Sequence, residues 1–428
     1  MSVLDVAAIR KDFPILARTV RDGKKLIYLD SGATSQKPTS VLDAERNFYE
    51  THNAAVHRGA HQLAEEATIA FEKARKNIAA FIGAQANDLI FTKNATEAIN
   101  LIAYSFVNAT LKQLRGEALP AGAERFVLVE GDEVVVTEME HHSNLVPWQE
   151  LCAKTGAVLK WIGLTDDGRL NYSDLTTVIT PRTKVVSFTH QSNLLGSIND
   201  VAKITAAARA VDAIVVLDAC QSIPHMPVAV SELDVDFITW SGHKMLGPMG
   251  IGCLWGRSEL LASLPPFISG GSMIETVTME ASTFAPPPQR FEAGVPMAAQ
   301  AVALSAAVDY LQAIGMDKVA SHEHELTKVA LATLGDIDGV RILGPTDFTD
   351  RGSAVSFVVE GIHPHDVGQV LDSLGIAVRV GHHCAWPVCR RYEVPATTRA
   401  TFYVYNDLAD IHALADGIRQ AQEFFGSN

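Results

Sequence analysis

Apolar residues along the chain recur with two periods, one typical of amphipathic helices and one typical of buried strands. In residues 63–82 the apolar side chains lie three or four positions apart and Gly83 follows, which predicts a helix that ends at the glycine. Short apolar runs occupy residues 88–92, 133–137, 184–188, 213–218 and 236–240. Such runs, separated by helical stretches such as 200–210, predict parallel strands that are buried on both faces. We therefore expect an open α/β sheet with its ligand site beyond the carboxyl ends of the strands.

A proline-rich segment, FAPPPQRFEAG at residues 284–294, interrupts this pattern and predicts a domain boundary. A long helical stretch follows it, and from residue 338 short strands and helices alternate up to a final amphipathic helix over residues 407–424. This order predicts a second, smaller α+β domain. We expect a large domain of residues 20–294 and a small domain of residues 1–19 and 295–428.

Composition and charge narrow the class of protein. The chain has 428 residues, of which 47% are hydrophobic, and a formal net charge of −14. It is long enough for two domains, and its acidity argues against nucleic-acid binding. Charged residues interrupt the first twenty positions and no apolar stretch is long enough for a bilayer, so we expect neither a signal peptide nor a membrane span. The cysteines, at positions 152, 220, 253, 384 and 389, show no CxxC spacing, which predicts free thiols in a reducing cytoplasm.

The segment WSGHKMLGP at residues 240–248 carries the strongest chemical signal. Its Lys244 follows Ser241 and His243 directly after an apolar run, and Asp218 ends an earlier run. A lysine amine can hold the aldehyde of pyridoxal 5′-phosphate (PLP) as a Schiff base, and the serine and histidine can donate to its phosphate. A carboxylate can keep the pyridine nitrogen protonated. Together these residue types predict a PLP site.

A helix start at Asn94 offers a second contribution to that site. Asn94 can cap the helix and Glu97 can reach back to it, while Ile99, Ile102 and Phe106 form an apolar stripe. The free amides of this first turn, with the Thr96 hydroxyl, would bind the PLP phosphate. A well-capped helix without a ligand is the alternative for this segment taken alone.

Cys384 differs from the other cysteines because it lies in loop sequence, RVGHHCAWP at residues 379–387. We expect His382, His383 and nearby arginines to lower the pKa of its thiol or to shape the loop. Cys220 and Cys253 lie in or beside apolar runs, which predicts buried thiols. Cys389 is either a resolving thiol or a packed, inert one.

The chain resembles the SufS class (group II) of cysteine desulfurases, PLP enzymes of the class V aminotransferase family, over nearly its whole length. The matching stretches are YLDSGATSQKP (28–38), VHRGAH (56–61), NATEAIN (94–100), TEMEHHSNLVPWQ (137–149), THQSNLLG (189–196), LDACQS (217–222), WSGHKMLGPMGIG (240–252), RFEAG (290–294), VRVGHHCAWP (378–387) and TRATFYVYN (398–406). The resemblance implies the PLP-dependent transferase fold of type I. Its large domain has a mostly parallel seven-stranded sheet, and its smaller α+β domain carries the catalytic cysteine loop.

The resemblance also assigns roles to single residues. In the cofactor set it implies that Lys244 binds PLP, Asp218 pairs with the ring nitrogen, Gln221 contacts the ring hydroxyl, His141 stacks over the ring, and Thr96, Ser241 and His243 hold the phosphate. In the substrate set it implies that Asn193 and Arg399 bind the carboxylate and that Arg379 organises the loop and substrate beside Cys384. Lys244, His141 and Cys384 are the implied catalytic residues, and no metal is expected.

The implied activity converts L-cysteine to L-alanine and leaves a persulfide on Cys384, which an acceptor takes for iron–sulfur cluster assembly. The implied partners are a second copy of the chain in a homodimer, an acceptor of the SufU or SufE type, and a SufBCD-like scaffold. Selenocysteine lyase and cysteine sulfinate desulfinase are alternatives on the same scaffold. An aminotransferase or epimerase on this fold would have no need of Cys384. A non-catalytic assembly subunit is a further alternative, but it would have no chemical reason to retain Lys244, Asp218, His141 and Cys384 together.

Two segments depart from the family pattern. Family members commonly have a threonine, whose hydroxyl reaches the phosphate in the neighbouring subunit, at the position that Val295 occupies here. Loss of that hydrogen bond would weaken PLP binding by about 1.5–3 kcal/mol. Residues 107–130 are polar and poorly periodic, and we expect a surface excursion there.

Overall fold

The structure, a computed structural model, describes residues 4–426. The α-helices are α1 (Val6–Lys11), α2 (Thr39–Thr51), α3 (Gln62–Phe81), α4 (Ala95–Leu114), α5 (Val146–Thr155), α6 (Leu175–Val178), α7 (Val201–Arg209), α8 (Ser258–Ser263), α9 (Ala298–Ile314), α10 (Met316–Gly335), α11 (Pro364–Ser373), α12 (Trp386–Arg391) and α13 (Leu408–Gly426). The strands are β1 (Thr19–Val20), β2 (Lys24–Lys25), β3 (Ile27–Tyr28), β4 (Leu89–Thr92), β5 (Glu133–Thr137), β6 (Val158–Ile162), β7 (Thr183–Thr189), β8 (Ile214–Asp218), β9 (Phe237–Ser241), β10 (Gly252–Gly256), β11 (Ile274–Val277), β12 (Ser282–Phe284), β13 (Val340–Leu343), β14 (Ala354–Val359), β15 (Ile376–Ala377), β16 (Arg379–Gly381) and β17 (Thr397–Thr401). No helix in this part of the chain is long and apolar enough to cross a membrane.

Seven strands form one sheet in the order β4-β10-β9-β8-β7-β5-β6. Neighbouring strands are parallel from β9 through β8, β7 and β5 to β6, whereas β10 is antiparallel to both β4 and β9. The predicted mostly parallel α/β sheet is therefore confirmed. The run at residues 88–92 forms an edge strand with the same direction as the parallel strands, although it pairs only with the reversed strand β10. Strands β6 and β10 had not been predicted from the sequence.

Both faces of this sheet are buried, as the continuous apolar runs predict. Alternate residues of the strands belong to two separate cores because successive side chains point to opposite faces. On one face Val135, Val186 and Val215 pack with residues of α3 and α9. On the other face Val134, Val185 and Val216 pack with residues of α4. Helices thus cover the sheet and leave its strand ends open to a ligand.

A second, four-stranded antiparallel sheet has the order β13-β14-β17-β16. Its core, shared with α10, α11 and α13, runs from Leu326 to Ile418 and includes Leu29 from the beginning of the chain. The short strand β3 pairs with β15, so residues 27–28 join this unit as well. The smaller α+β unit follows the predicted order of elements. The exact division at residues 294 and 295 stays a prediction; α9, which follows it, packs against α2 and α3.

The surface excursion expected at residues 107–130 is only partly present. Helix α4 continues to Leu114 and buries Val107, Ala109 and Thr110. Phe126 is also buried, with its ring 5.2 Å from that of Phe106. Most of residues 111–122 are exposed. The polar stretch that suggested a loop, LRGEALPAGAE, begins at the last helical residue and continues beyond the helix.

A buried ion pair ties the segment before α9 to the large sheet. Arg75 of α3 donates to both carboxylate oxygens of Glu292, at 2.6 and 2.8 Å, and to the carbonyl of Leu89. Its guanidinium also lies over the rings of Phe71 and Phe91. Only 1% of the Arg75 side chain and 8% of the Glu292 side chain is exposed. If one of the two side chains is removed, the charge of the other stays buried and is not solvated.

We expect Arg75→Met to lower the free energy of unfolding by about 3–5 kcal/mol, because it leaves the Glu292 carboxylate buried without its cation. The measurement is guanidinium-induced unfolding followed by tryptophan fluorescence. Arg46→Met is the matched control, since Arg46 and Glu50 form an exposed pair at 3.7 Å. Its cost should stay within about 0.5 kcal/mol. Equal costs for the two variants would contradict this account of the ion pair.

Candidate active site

The carboxyl ends of three neighbouring strands form one wall of a cavity of about 200 Å³. Strand β7 ends at Thr189, β8 at Asp218 and β9 at Ser241, and a single turn of 3-10 helix, Gly242–Lys244, follows β9. Nine of the predicted site residues line this cavity: Thr96, His141, Asn193, Asp218, Gln221, Ser241, His243, Lys244 and Arg379. Arg399 and Cys384 lie outside the lining. The cavity thus lies at the sheet edge where the strand pattern predicts a ligand site.

Two charged groups in the cavity have no partner of opposite charge among residues 4–426. Asp218 is 3% exposed and accepts one hydrogen bond, at 2.9 Å, from the backbone amide of Cys220. No lysine, arginine or histidine nitrogen in that range lies within 4.0 Å of its carboxylate, and the Lys244 ammonium likewise has no carboxylate. Buried charges are normally paired. A ligand with a cationic ring nitrogen and a group that reacts with an amine would satisfy both.

The first turn of α4 forms the opposite wall. Asn94 caps the helix through a 3.0 Å bond from the Glu97 amide to its side chain, as predicted. Glu97 reaches back to the amide of Lys93, one residue before the cap. The hydroxyl of Ser241 accepts a 2.9 Å bond from the Ala95 amide, which joins β9 to this helix start. Helix starts with adjacent hydroxyl groups bind anions.

Gly252 allows this close approach between α4 and strand β10. A Cβ atom at Gly252 would lie 2.5 Å from the Cα of Asn94, so any larger residue would push the helix start away from the sheet. The hydroxyl of Thr96, in the first turn, is 2.7 Å from that of Ser143. Thr96 and Ser241 are therefore held on one side of the cavity, where the phosphate of PLP was predicted.

His141 is electrically neutral in this site. Its Nδ1 accepts a 3.1 Å bond from the Ser143 amide, which leaves the ring proton on Nε2. Burial, and after it the charge of Lys244, lowers the pKa of His141 to about 3. The imidazole therefore offers an apolar ring face and one N–H group at neutral pH, which agrees with the predicted stacking role.

Glu140, which the sequence analysis did not single out, holds the turn that carries His141. Its fully buried carboxyl accepts bonds from the Thr137 hydroxyl, the Asn144 side-chain amide and the Thr189 backbone amide. Burial raises the pKa of Glu140 to about 8. These bonds connect β5, β7 and the His141 turn beside the cavity. The sequence offered one signal for Glu140: it directly precedes His141 in a stretch that matches the family.

Arg399 lies one layer behind the cavity and is fully buried. Its guanidinium donates to the Asn193 carbonyl at 2.9 Å and to the Asp30 carboxylate at 3.0 Å. Burial lowers the pKa of Arg399 and raises that of Asp30. Asp30 was missed by the sequence analysis because its partner is far along the chain. The predicted carboxylate-binding role of Asn193 and Arg399 stays a prediction.

The Cys384 loop is fixed by contacts from two directions. The backbone amide of His142 donates to the Cys384 carbonyl at 2.6 Å, and the Asn193 side-chain amide donates to the His383 carbonyl at 2.7 Å. His383 and Cys384 both have positive φ angles, 50° and 56°, which non-glycine residues adopt only under such constraint. The thiol is partly exposed. Arg379, which also lines the cavity, places Nη2 3.6 Å from the Cys384 sulfur.

Of the two roles expected for His383, lowering the pKa of the thiol or shaping the loop, the structure favours the second. His383 is 2% exposed, and its Nε2 lies 2.7 Å from the Thr397 hydroxyl. Burial lowers its pKa to about 2, so the ring is neutral. The cation at the thiol is Arg379. His382 instead stacks on Trp386, with ring centroids 4.6 Å apart, so these two histidines shape the loop.

PLP fits this cavity on the structural grounds given above. Lys244 supplies an amine, Asp218 a carboxylate for a ring N–H, and His141 a ring face. Burial lowers the pKa of His243 to about 4, and a neutral imidazole keeps a donor for a phosphate beside Thr96 and Ser241. Gln221, whose side-chain amide donates to the Gly32 carbonyl at 2.8 Å, lies beside Asp218 in the lining.

Comparison with known proteins identifies the family. The Aminotransferase class-V family profile matches residues 27–414. A probable cysteine desulfurase from Streptomyces coelicolor is 56% identical over 99% of both chains, and probable cysteine desulfurase 2 from Mycobacterium leprae is 55% identical over 100% of this chain and 99% of its own. The solved cysteine desulfurase from Thermococcus onnurineus is 37% identical, covers 99% of both chains and superposes with a TM-score of 0.88. The chain therefore belongs to the class-V aminotransferase family, and its full-length relatives there are cysteine desulfurases.

Proposed function

We propose that the chain is a PLP-dependent cysteine desulfurase that forms a persulfide on Cys384. The observation that carries this proposal is the position of Arg379, which lines the cavity and lies 3.6 Å from the Cys384 sulfur. One side chain thus contacts both the space for an amino-acid substrate and the thiol that would receive its sulfur. The names of the full-length relatives support the same activity.

Lys244 and His141 would manage the protons of this reaction. Bound PLP supplies the electron sink that weakens the bonds at Cα and Cβ of an amino acid. Lys244 would hold the cofactor, and its Nζ would be the group that moves the Cα proton of the substrate. His141 would assist as a neutral hydrogen-bond donor through Nε2, because its Nδ1 already accepts from the Ser143 amide and its low pKa makes the ring a poor base.

Arg379, Arg399 and Asn193 would fix the substrate. A guanidinium binds a carboxylate through two parallel hydrogen bonds, which fixes the amino acid in orientation as well as position. The Arg399 Nη2 atom lies 3.0 Å from the Asp30 carboxylate. The Arg399 guanidinium now donates to the Asn193 carbonyl and the Asp30 carboxylate. If Arg399 binds the substrate carboxylate, that carboxylate replaces at least one of these two acceptors.

Cys384 would receive the sulfur. Its thiolate forms a bond to the sulfur of L-cysteine while the bond from that sulfur to Cβ breaks, and the carbon fragment gains protons and leaves as L-alanine. The thiolate is the reactive form, and the Arg379 guanidinium places a positive charge 3.6 Å from this sulfur. The persulfide leaves by exchange with another thiol. The partly exposed position of Cys384 gives such an acceptor access.

The Cys384 loop and a group of exposed apolar residues are the two features from which we infer the partners of this chain. We infer a SufU- or SufE-type acceptor at the Cys384 loop and delivery to a SufBCD-like scaffold, as the SufS resemblance implies. A homodimer is supported by exposed apolar residues that a second copy would cover: Val277 and Met279 of the β11–β12 hairpin, and Val295, which is 83% exposed. The five cysteines are free thiols, which supports a reducing cytoplasm.

We expect Cys384→Ala to lower alanine formation from L-cysteine by roughly a hundredfold or more, because no other nucleophile then takes the sulfur. Lys244→Ala should abolish it. The measurements are alanine by amino-acid analysis and, on the parent protein, the gain of one sulfur atom on the Cys384 peptide by mass spectrometry. Cys389→Ala is the matched control, since that thiol is buried five positions further along.

Full activity of the Cys384→Ala protein would contradict persulfide formation at this residue. Rates on L-selenocysteine and L-cysteine sulfinate, measured beside L-cysteine, identify the preferred substrate. A higher rate on either of them would replace desulfuration as the main activity while leaving the cofactor site unchanged.

We expect Arg379→Met to slow alkylation of Cys384 by iodoacetamide at neutral pH by roughly tenfold, because the thiolate loses a cation at 3.6 Å. The measurement is the second-order rate constant, followed by mass spectrometry of the Cys384 peptide. Arg390→Met removes a nearby cation that lies over the Trp386 ring instead, and it should change the rate little. Equal rates in the parent and the Arg379 variant would exclude this electrostatic role.

A further inference from the structure

The segment of residues 31–37 lies between the second sheet and the turn that carries Lys244. The side chain of Tyr28 donates to the Thr34 carbonyl at 2.7 Å, and the Tyr405 hydroxyl accepts from the Gln36 amide at 3.1 Å. These bonds fix the segment on the side of the second sheet. On its other side, the Ser35 hydroxyl accepts a 2.8 Å bond from the amide of Leu246, two residues after Lys244. The segment therefore has a fixed position from which it can hold the lysine turn.

Four donors of this segment converge on one oxygen, the carbonyl of His243. They are the Ser35 amide at 3.0 Å, the Ser35 hydroxyl at 3.1 Å, the Thr34 hydroxyl at 3.1 Å and the Lys37 ammonium at 2.9 Å. This carbonyl belongs to the peptide bond that links His243 to Lys244. A backbone carbonyl has two lone pairs. The four donors therefore compete for this oxygen, and Lys37, the charged member of the set, makes the shortest contact.

Lys37 has the contacts of a structural cation. Its ammonium also donates to the carbonyl of Ser35 and, at 3.3 Å, to the Thr34 hydroxyl. Within the described chain no carboxylate lies within 4.0 Å of it, so oxygen atoms of the backbone and one hydroxyl are its partners. Burial lowers the pKa of Lys37 to about 8. Most lysines extend into solvent, whereas this one is turned inward onto the peptide before Lys244.

We propose that Lys37 is a positioning residue for Lys244. Its ammonium holds the His243 carbonyl and thereby fixes the point at which the Lys244 side chain leaves the backbone. A charge-assisted hydrogen bond is about twice as strong as a neutral one, so the hydroxyls and amide of residues 34 and 35 do not replace it. The inference rests on the proposed role of Lys244 as the attachment point of PLP.

The test is a titration of full-length protein that has been freed of PLP with hydroxylamine. PLP and pyridoxal, which lacks the phosphate, are each added, and bond formation with Lys244 is followed by absorbance. We expect Lys37→Met to weaken the apparent affinity for both compounds about tenfold, the factor that loss of one charge-assisted bond gives. Lys25→Met, at an exposed lysine of β2, should bind both compounds as the parent does.

Two results would overturn the proposal. Unchanged affinity of the Lys37→Met protein for both compounds would show that the ammonium does not position Lys244. A loss for PLP with no loss for pyridoxal would show that Lys37 acts on the phosphate instead. Alanine formation by the parent protein is recorded separately, so that failure of the desulfurase proposal is distinguished from failure of this one.

A second variant keeps the proposal testable if Lys37→Met does not fold. Lys37→Gln retains an N–H donor but removes the charge, and we expect about threefold weaker binding of both compounds. The midpoint of thermal unfolding of the cofactor-free proteins shows whether each variant is folded. Parent-like binding by a folded Lys37→Gln protein would also overturn the role of the ammonium.

Discussion

The parallel alignment of β7, β8 and β9 is the constraint on which the site depends. Parallel strands bring their carboxyl ends to one edge of a sheet, so Asp218 and Ser241 meet there although they are separated in sequence. The reversed strand β10 extends this edge and, through Gly252, lets the start of α4 approach within van der Waals distance. The cysteine loop and the Arg399–Asp30 pair are then packed onto this edge from the second sheet.

Electrostatics in the cavity are arranged for a ligand with charges of its own. Asp218 and Lys244 lack opposite charges, whereas the buried pair of Arg75 and Glu292 elsewhere in the fold is fully matched. Asp218 is buried, and an unpaired buried charge opposes folding. A bound group with a cationic nitrogen would compensate it. The neutral state of His141 serves the same arrangement, because a second cation next to Lys244 would repel a cationic ring.

Most of the fold and much of the site could be predicted from local sequence. Apolar runs identified the buried strands, and WSGHKMLGP with Asp218 identified the cofactor, since these signals depend on neighbouring residues. Strand β10 was missed because its run has only three apolar residues between two glycines. Asp30 and Lys37 were missed for a different reason: their partners, Arg399 and His243, are distant in sequence. The neutral state of His383 depends on burial, which its polar loop sequence did not indicate.

The pairing of β4 with β10 also sets an order of assembly during synthesis. The edge strand Leu89–Thr92 has no neighbour in the sheet until Gly252–Gly256 leaves the ribosome, and contacts between such distant segments form slowly because a long loop must close. Lys244 is synthesised before that strand, so the lysine exists before the helix start that faces it is in place. Before that strand is made, the nascent chain therefore does not yet have in place the helix start that would bind the phosphate of PLP. We therefore expect complete loading with PLP only after Gly252–Gly256 has been synthesised and paired with β4.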